Sequence, residues 1–327
     1  MTVVSQDKTS ITLKPTGQRM PIVGYGMWKV PRDKCRDQVV ESFKAGYRLL
    51  DNAADYGNEK EVGEGIKKAI DEGIVKREDI FITSKLWNTN HAPEHVREAC
   101  VRSLTDLGLK QLDLYLIHFP ISIAYVDPAV RYPPEWYHDG KGPHCTLEHV
   151  PLQKTWEAME KLVDEGLVKN IGISNMNAVI IQDLLKYARI KPAVLQIEHH
   201  PYLVQAPLIK YAQKNDIAIT AYSSFGAQSY VELGIDHAIK CPPLLEHDLV
   251  KSIAKKAGKT PAQVLLRWAA QRNIAVIPKS SNPDRLKSNF DVLSFDLSEE
   301  QMQQLTNLDQ GLRFNDPGLY FDIPIFA

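Results

Sequence analysis

The 327-residue sequence predicts a closed (β/α)8 barrel, read as one domain spanning residues 1–327. Three observations predict it. Eight short apolar runs rich in Ile, Leu and Val recur with helical stretches between them, the pattern of strands buried on both faces. A chain of this length, 44% hydrophobic, has room for eight such units and enough apolar matter to fill their core. The polar residues of chemical interest stand at the ends of several different runs, whereas an open doubly wound sheet gathers function at one switch point.

The elements follow in order. Residues 9–20, centred on Thr16-Gly17, read as a β-hairpin lying as a lid over the molecule. The run Met20–Gly24 gives the first barrel strand, before a polar-periodic helix near 33–45. Strand 47–50 leads to helix 58–72, with Asn58 as its N-cap. Strand 80–84 leads to helix 93–107, whose first turn suits Pro93. Strand 112–117 leads through a long loop to helix 151–165, strand 168–173 to helix 177–188, and strand 193–197 to helix 204–214. Strand 217–222 leads through an irregular connection to helix 246–257; an additional helix, 261–271, precedes strand 274–277. The last helices begin near Pro283 and cover 298–308. Two stretches resist assignment: 118–150, with Pro120, Pro128, Pro133, Pro134 and Pro143 among aromatics, and the tail 309–327. Loops this long are usually functional, and both are expected to wall a pocket at the C-terminal mouth.

Composition narrows the class. The formal net charge is −1, with no basic stripe for nucleic acid and no charge block for a membrane surface. Four scattered cysteines, none spaced as C-x-x-C, argue against a zinc knuckle and suit a reducing, cytoplasmic setting; no metal is expected. The first eight residues carry no apolar signal core, and no run is long enough for a membrane span.

Asp51, Tyr56, Lys85 and His118 each stand at or just beyond the end of a run. Taken singly, such an Asp is a cap, such a Tyr packing, such a His structural. Brought to one barrel mouth, they are the equipment for protonating a carbonyl oxygen. Tyr56 is a candidate acid, and a neighbouring Lys85 ammonium is expected to lower its pKa. Asp51 would keep Lys85 charged, and His118 would orient the carbonyl. The Tyr56-x-x-x-Lys60 pattern of short-chain dehydrogenases is a decoy. It straddles a helix start here, and Gly24-Tyr25-Gly26 lacks the third glycine of a dinucleotide turn.

The stretch Asp51–Glu59, Leu107-Gly108-Leu109 through Asp113–His118, and Ile277-Pro278-Lys279-Ser280 together resemble the three signatures of the aldo-keto reductase family. Glu198-His199-His200-Pro201-Tyr202, Ala221–Gly226 and Gly311–Pro317 are similar to its fungal xylose (aldose) reductases. The resemblance implies Tyr56 as general acid tuned by Lys85 and Asp51, and a nicotinamide cofactor held without a Rossmann fold. It assigns Ser174, Asn175 and Gln196 to the carboxamide, Tyr222 to the nicotinamide face, and Ser223, Ser224 and Glu232 to the rest of the cofactor. Trp28, Asp55, His118, Phe119, Phe225 and Asn315 match positions lining the sugar pocket.

The adenosine end also has a physical argument. Lys279, Ser280, Ser281 and Arg285 surround the start of a helix with Asn282 as N-cap and Pro283 at N1. Two cations, two hydroxyls and a helix N-terminus suit a 2′-phosphate, hence NADPH, with NADH as a weaker alternative. After Asn315-Asp316-Pro317 the subgroup places a tryptophan, whereas this chain continues Gly318-Leu319-Tyr320, so L-arabinose competes with D-xylose as substrate. A broader aldehyde or keto-acid reductase and a non-catalytic NADPH-binding subunit remain alternatives. The protein is expected to act as a monomer or homodimer.

Overall fold

The structure, a computed structural model, describes residues 9–140, 142 and 145–327. The terminal stretch read for a signal core, and Pro143, lie outside the described residues. Among the described residues ten strands occur: β1 (Ser10–Thr12), β2 (Arg19–Pro21), β3 (Tyr25–Gly26), β4 (Leu49–Asp51), β5 (Phe81–Leu86), β6 (Leu112–Ile117), β7 (Val168–Ser174), β8 (Val194–Glu198), β9 (Ala218–Tyr222) and β10 (Ile274–Val276). β3 to β10 pair in chain order, all in parallel. Helices fill the connections, and the sheet closes on itself. Val23 bridges Val276 in parallel, and Gly24 N donates to Val276 O while Val276 N donates to Ile22 O, both at 2.8 Å. A Cβ on Gly26 would meet Ile277 O at 2.7 Å, so this seam needs glycine. This is the (β/α)8 barrel expected.

The strands form because their residues have somewhere apolar on both sides. Every residue of β5 and β6 is buried. Helices supply the outer layer through one face: Leu152–Asp164 buries Trp156, Met159 and Leu162, three residues apart in turn. Helix Pro93–Asp106 starts at its proline, as the sequence predicts.

Two expectations are corrected, and a third is made specific. The run Met20–Gly24 is not one barrel strand: Met20 belongs to β2, and barrel pairing starts at Val23. One apolar run thus serves two sheets. The hairpin β1–β2, expected as a lid with no side named, lies away from the C-terminal mouth. Thr16 Oγ1 donates to Asn170 Oδ1 and Gln18 Nε2 to Asp113 Oδ1, each at 2.7 Å, near the starts of β7 and β6. It seals the opposite mouth, because the buried Asp113 there requires donors; Arg77 and Lys169 supply two more, at 2.8 and 2.9 Å. Asn58 occupies the N-cap of helix Glu59–Asp71 but makes no side-chain cap. Its amide instead donates to Met27 O (2.9 Å) and Val30 O (3.1 Å), pinning the loop that carries Trp28.

The connection after β9 holds two short helices, Gln228–Val231 and Asp236–Lys240. The helix expected over 246–257 begins at Asp248. Among the described residues no helix is long and apolar enough to cross a membrane, and no cluster of His, Cys, Asp and Glu could hold a metal.

Candidate active site

Parallel strands end together, so β4 to β9 deliver their last side chains to one mouth. Asp51 closes β4, Lys85 lies next to last in β5, and His118 follows β6. Tyr56 sits on a single 3-10 turn, Ala54–Tyr56, just beyond Asp51. Lys85 Nζ donates to Asp51 Oδ2 (2.8 Å), Asn52 O (2.8 Å) and Tyr56 Oη (3.0 Å). An ammonium has three protons, and here each has an acceptor. Because Lys85 gives its proton to the phenol oxygen, the phenol's own proton is free to point into the cavity. Gln196 Nε2 donates to Asp51 Oδ1 at 2.7 Å, fixing the other carboxylate oxygen.

Burial governs the titration of this group. It pushes the Tyr56 phenol well above the ordinary phenol range, and the Asp51, Asp55 and Tyr222 charges push the same way. The expectation that Lys85 would acidify Tyr56 is corrected for the free protein: loss of water is the largest influence, and the neighbouring acids act in the same direction. Tyr56 therefore carries its proton at neutral pH, as an acid must. Burial also draws Lys85 down, opposed by Asp51 and Glu59. His118 is held well below its usual value by burial, then by Lys85 and His91. It is neutral at pH 7 and offers one N–H. Burial and Glu135 raise Asp55 to about 7.

These groups face a cavity of about 380 Å³. Asp51, Tyr56, His118, Ser174, Asn175, Gln196 and Tyr222 line its inner part; Ser223, Ser224, Glu232, Lys279, Ser280, Ser281 and Arg285 line its extension. Trp28, Asp55, Phe119, Phe225 and Asn315 complete it. Of the residues expected at the site, Lys85 alone does not line the cavity; fully buried, it acts from behind Tyr56 and Asp51. Lys29, Asn175 and Ser223 have positive φ (61°, 60° and 53°), and all three line the cavity, where backbone strain is often a mark of function.

The extension suits an extended dinucleotide. Asn282 Oδ1 accepts from Asp284 N and Arg285 N, both at 3.0 Å, capping helix Pro283–Phe290 as expected. Lys279, Ser281 and Arg285 are exposed around that N-terminus, ready for an anion. Ser224 Oγ is buried with no hydrogen-bond partner in the protein, as fits a hydroxyl that meets a ligand. Glu232 is engaged already: Lys29 Nζ donates to it at 2.5 Å and holds its carboxyl below the usual range.

The long loop and the tail do meet at the pocket. Trp136 lines the cavity and stacks on Phe321, with centroids 4.5 Å apart, and Trp87, also lining it, packs edge-on against Trp136. Trp136 lies in the stretch expected to wall the pocket, whereas sequence reasoning missed Trp87 and Tyr230 as wall residues. Trp87 directly follows β5, so its position at the mouth was the available signal. Leu319 is exposed and does not reach the cavity, and Tyr320 Oη donates to Phe314 O.

Residues 22–310 match the family described as Aldo/keto reductase family. The chain belongs to the aldo/keto reductase family. It is 57% identical over 316 residues to the NAD(P)H-dependent D-xylose reductase xyl1 of Aspergillus niger, covering 95% of this chain and 97% of that protein. It is also 57% identical over 306 residues to a probable NAD(P)H-dependent D-xylose reductase of Emericella nidulans, covering 93% and 95%. Among solved structures, the aldose reductase of Schistosoma japonicum superposes with a TM-score of 0.82 at 42% identity, covering 93% of each chain. The aldo/keto reductase relationship thus spans the barrel and the cavity together.

Proposed function

We propose that this protein, a single domain, reduces the aldehyde of open-chain aldopentoses, D-xylose and L-arabinose, to the alditol. NADPH is the preferred reductant and NADH a weaker one. The observation that carries the reading is the Asp51–Lys85–Tyr56 hydrogen-bonded chain opening into a cavity that runs on to Lys279 and Arg285. It is supported by relatives named as NAD(P)H-dependent D-xylose reductases at 57% identity.

The chemistry assigns each side chain a task. When bound, the reduced nicotinamide supplies a hydride to the carbonyl carbon. Tyr56 gives its proton to the carbonyl oxygen, and the phenolate left behind is stabilised by Lys85 at 3.0 Å. Asp51 holds that ammonium in place and is itself fixed by Gln196. Neutral His118 donates its one N–H to the same oxygen and steers it to Tyr56. Ser174, Asn175 and Gln196 would hold the carboxamide, and Tyr222 the ring face. Asp55 and Asn315 meet sugar hydroxyls; at neutral pH Asp55 is partly protonated and both gives and accepts hydrogen bonds.

The test is steady-state kinetics with D-xylose, L-arabinose, hexoses and aromatic aldehydes, each with NADPH and NADH. The reading expects the highest kcat/KM for a pentose with NADPH. An enzyme that turns over aromatic aldehydes far better than any pentose is a broad aldehyde reductase instead, and one that binds NADPH but reduces nothing is a binding subunit.

A further inference from the structure

Glu198 does not line the cavity, yet this fully buried acid is bound on both oxygens. It closes β8, two residues after Gln196. Its Oε1 accepts from His200 Nε2 and from Phe314 N, each at 2.9 Å. Its Oε2 accepts from Asn315 N at 2.8 Å and from Phe314 N at 3.1 Å. A carboxylate on the barrel wall thus grips two consecutive backbone amides of the tail. Neighbouring tail residues have other anchors: Leu312 N donates to Tyr202 O and Arg313 to Gln205 Oε1, both at 2.9 Å. Within the tail's entry to the cavity, the amides of Phe314 and Asn315 depend on Glu198.

From Asn315 a directed chain runs inward. Its Nδ2 donates to Tyr222 Oη (3.2 Å), Tyr222 Oη donates to Asn175 Oδ1 (2.5 Å), and Asn175 Nδ2 donates to His118 O (2.9 Å). Each link uses a donor for which the next group has an acceptor, so the sense of every bond is fixed. The sugar-side wall, the aromatic wall, the carboxamide seat and the backbone of the imidazole residue are joined in one line.

We propose that Glu198 is a positioning residue that holds Asn315 against Tyr222 and so sets the preference for polyhydroxylated over plain aldehydes. The proposal rests on the pentose-reductase reading above. A side chain rewards a substrate hydroxyl only where its own position is fixed beforehand. An aldehyde with no further hydroxyl makes no bond to Asn315 and is indifferent to its placement. Glutamine at 198 keeps the shape but leaves one acceptor oxygen where there were two, and its N–H₂ faces the Phe314 N–H in either orientation, so the grip on the pair is weakened.

The test compares kcat/KM for D-xylose and for butanal, at saturating NADPH, in the parent, Glu198→Gln, Asn315→Ala and the double variant. Glu198→Gln is expected to lose about 10-fold or more on D-xylose, mainly through KM, and less than about 3-fold on butanal, with NADPH affinity by fluorescence titration changed as little. The double variant should be no worse than Asn315→Ala alone, since Glu198 acts through that residue. Equal losses on both aldehydes, or losses that multiply in the double variant, overturn the proposal. If Glu198→Gln does not accumulate as folded protein, Glu198→Asp keeps the charge but shortens the reach to both amides and should show the same selective loss. Equal losses, or none, in that variant overturn it too. A parent that reduces butanal but no pentose overturns the pentose reading and this one with it, whereas a parent active on D-xylose isolates the role of Glu198.

Discussion

The Lys85 ammonium stands 3.0 Å from the Tyr56 phenol oxygen, with nothing of its own left to give. Its other two protons are taken by Asp51 and the Asn52 carbonyl. The phenol is therefore an acceptor on its inner side and a donor on its outer side. Tyr56→Phe keeps the ring and removes the donor. Reduction of D-xylose should fall by about 10³-fold or more while NADPH still binds. Initial rates and a fluorescence titration check this, and a variant as active as the parent places the acid elsewhere.

Asp51 and Lys85 form a buried ion pair, 4% and 0% exposed in their side chains. Breaking such a pair leaves an uncompensated charge, at a cost of about 3–5 kcal/mol. Asp51→Asn should lower thermal stability by that order, and adding Lys85→Met should restore much of it. Urea denaturation of the two single variants and the double variant reads the coupling. Additive losses would show that the ammonium does not need its carboxylate.

Arg285 is exposed beside the N-terminus of helix Pro283–Phe290. Arg285→Ala should weaken NADPH by about 10-fold or more and NADH by less than about 2-fold, because only the phosphorylated cofactor loses a charge-assisted bond. Equal losses in Kd for both cofactors remove the 2′-phosphate from this turn.

Glu59 lies behind Lys85, buried, with Ser84 Oγ donating to it at 2.5 Å and Ser103 Oγ at 2.8 Å. Burial raises its pKa from 4.5 to about 7 despite both hydroxyls. An acid raised in this way binds its proton more firmly when folded. Its stabilising contribution is full below the unfolded value of 4.5 and is lost as pH rises to about 7. Glu59→Gln, neutral throughout, should flatten the fall in stability across that window, by at most about 3 kcal/mol. Parallel pH profiles of stability for parent and variant would refute it.

How much was legible depended on how local the cause was. β6 matches its expected limits because a continuous apolar run needs only its own residues to become a buried strand. Asn282 was readable as a cap, since the amides it accepts from are two and three residues away. The converging tetrad followed from parallel strand ends. The hairpin's side of the barrel did not, because alternation specifies a pair of strands and not what they cover. The titration of Tyr56 was misread because an ammonium in sequence carries no record of the carboxylates and dry surroundings it will meet. Glu198 stood in a motif that was noted, but its partners in the tail lie 116 and 117 residues further along, and no spacing rule spans that distance. Asp113 was hidden likewise, its donors coming from four separate stretches.

Thr16 and Gln18 plug the barrel through Asn170 and Asp113, far from any reacting atom. Endurance and chemistry are thereby assigned to opposite rims. The rim with the plug answers for holding the cylinder shut, so the other can exchange its loops, tail and wall aromatics without opening it. Redesigning this enzyme toward other aldehydes should begin at residues 118–150 and 309–327 and leave the plug alone.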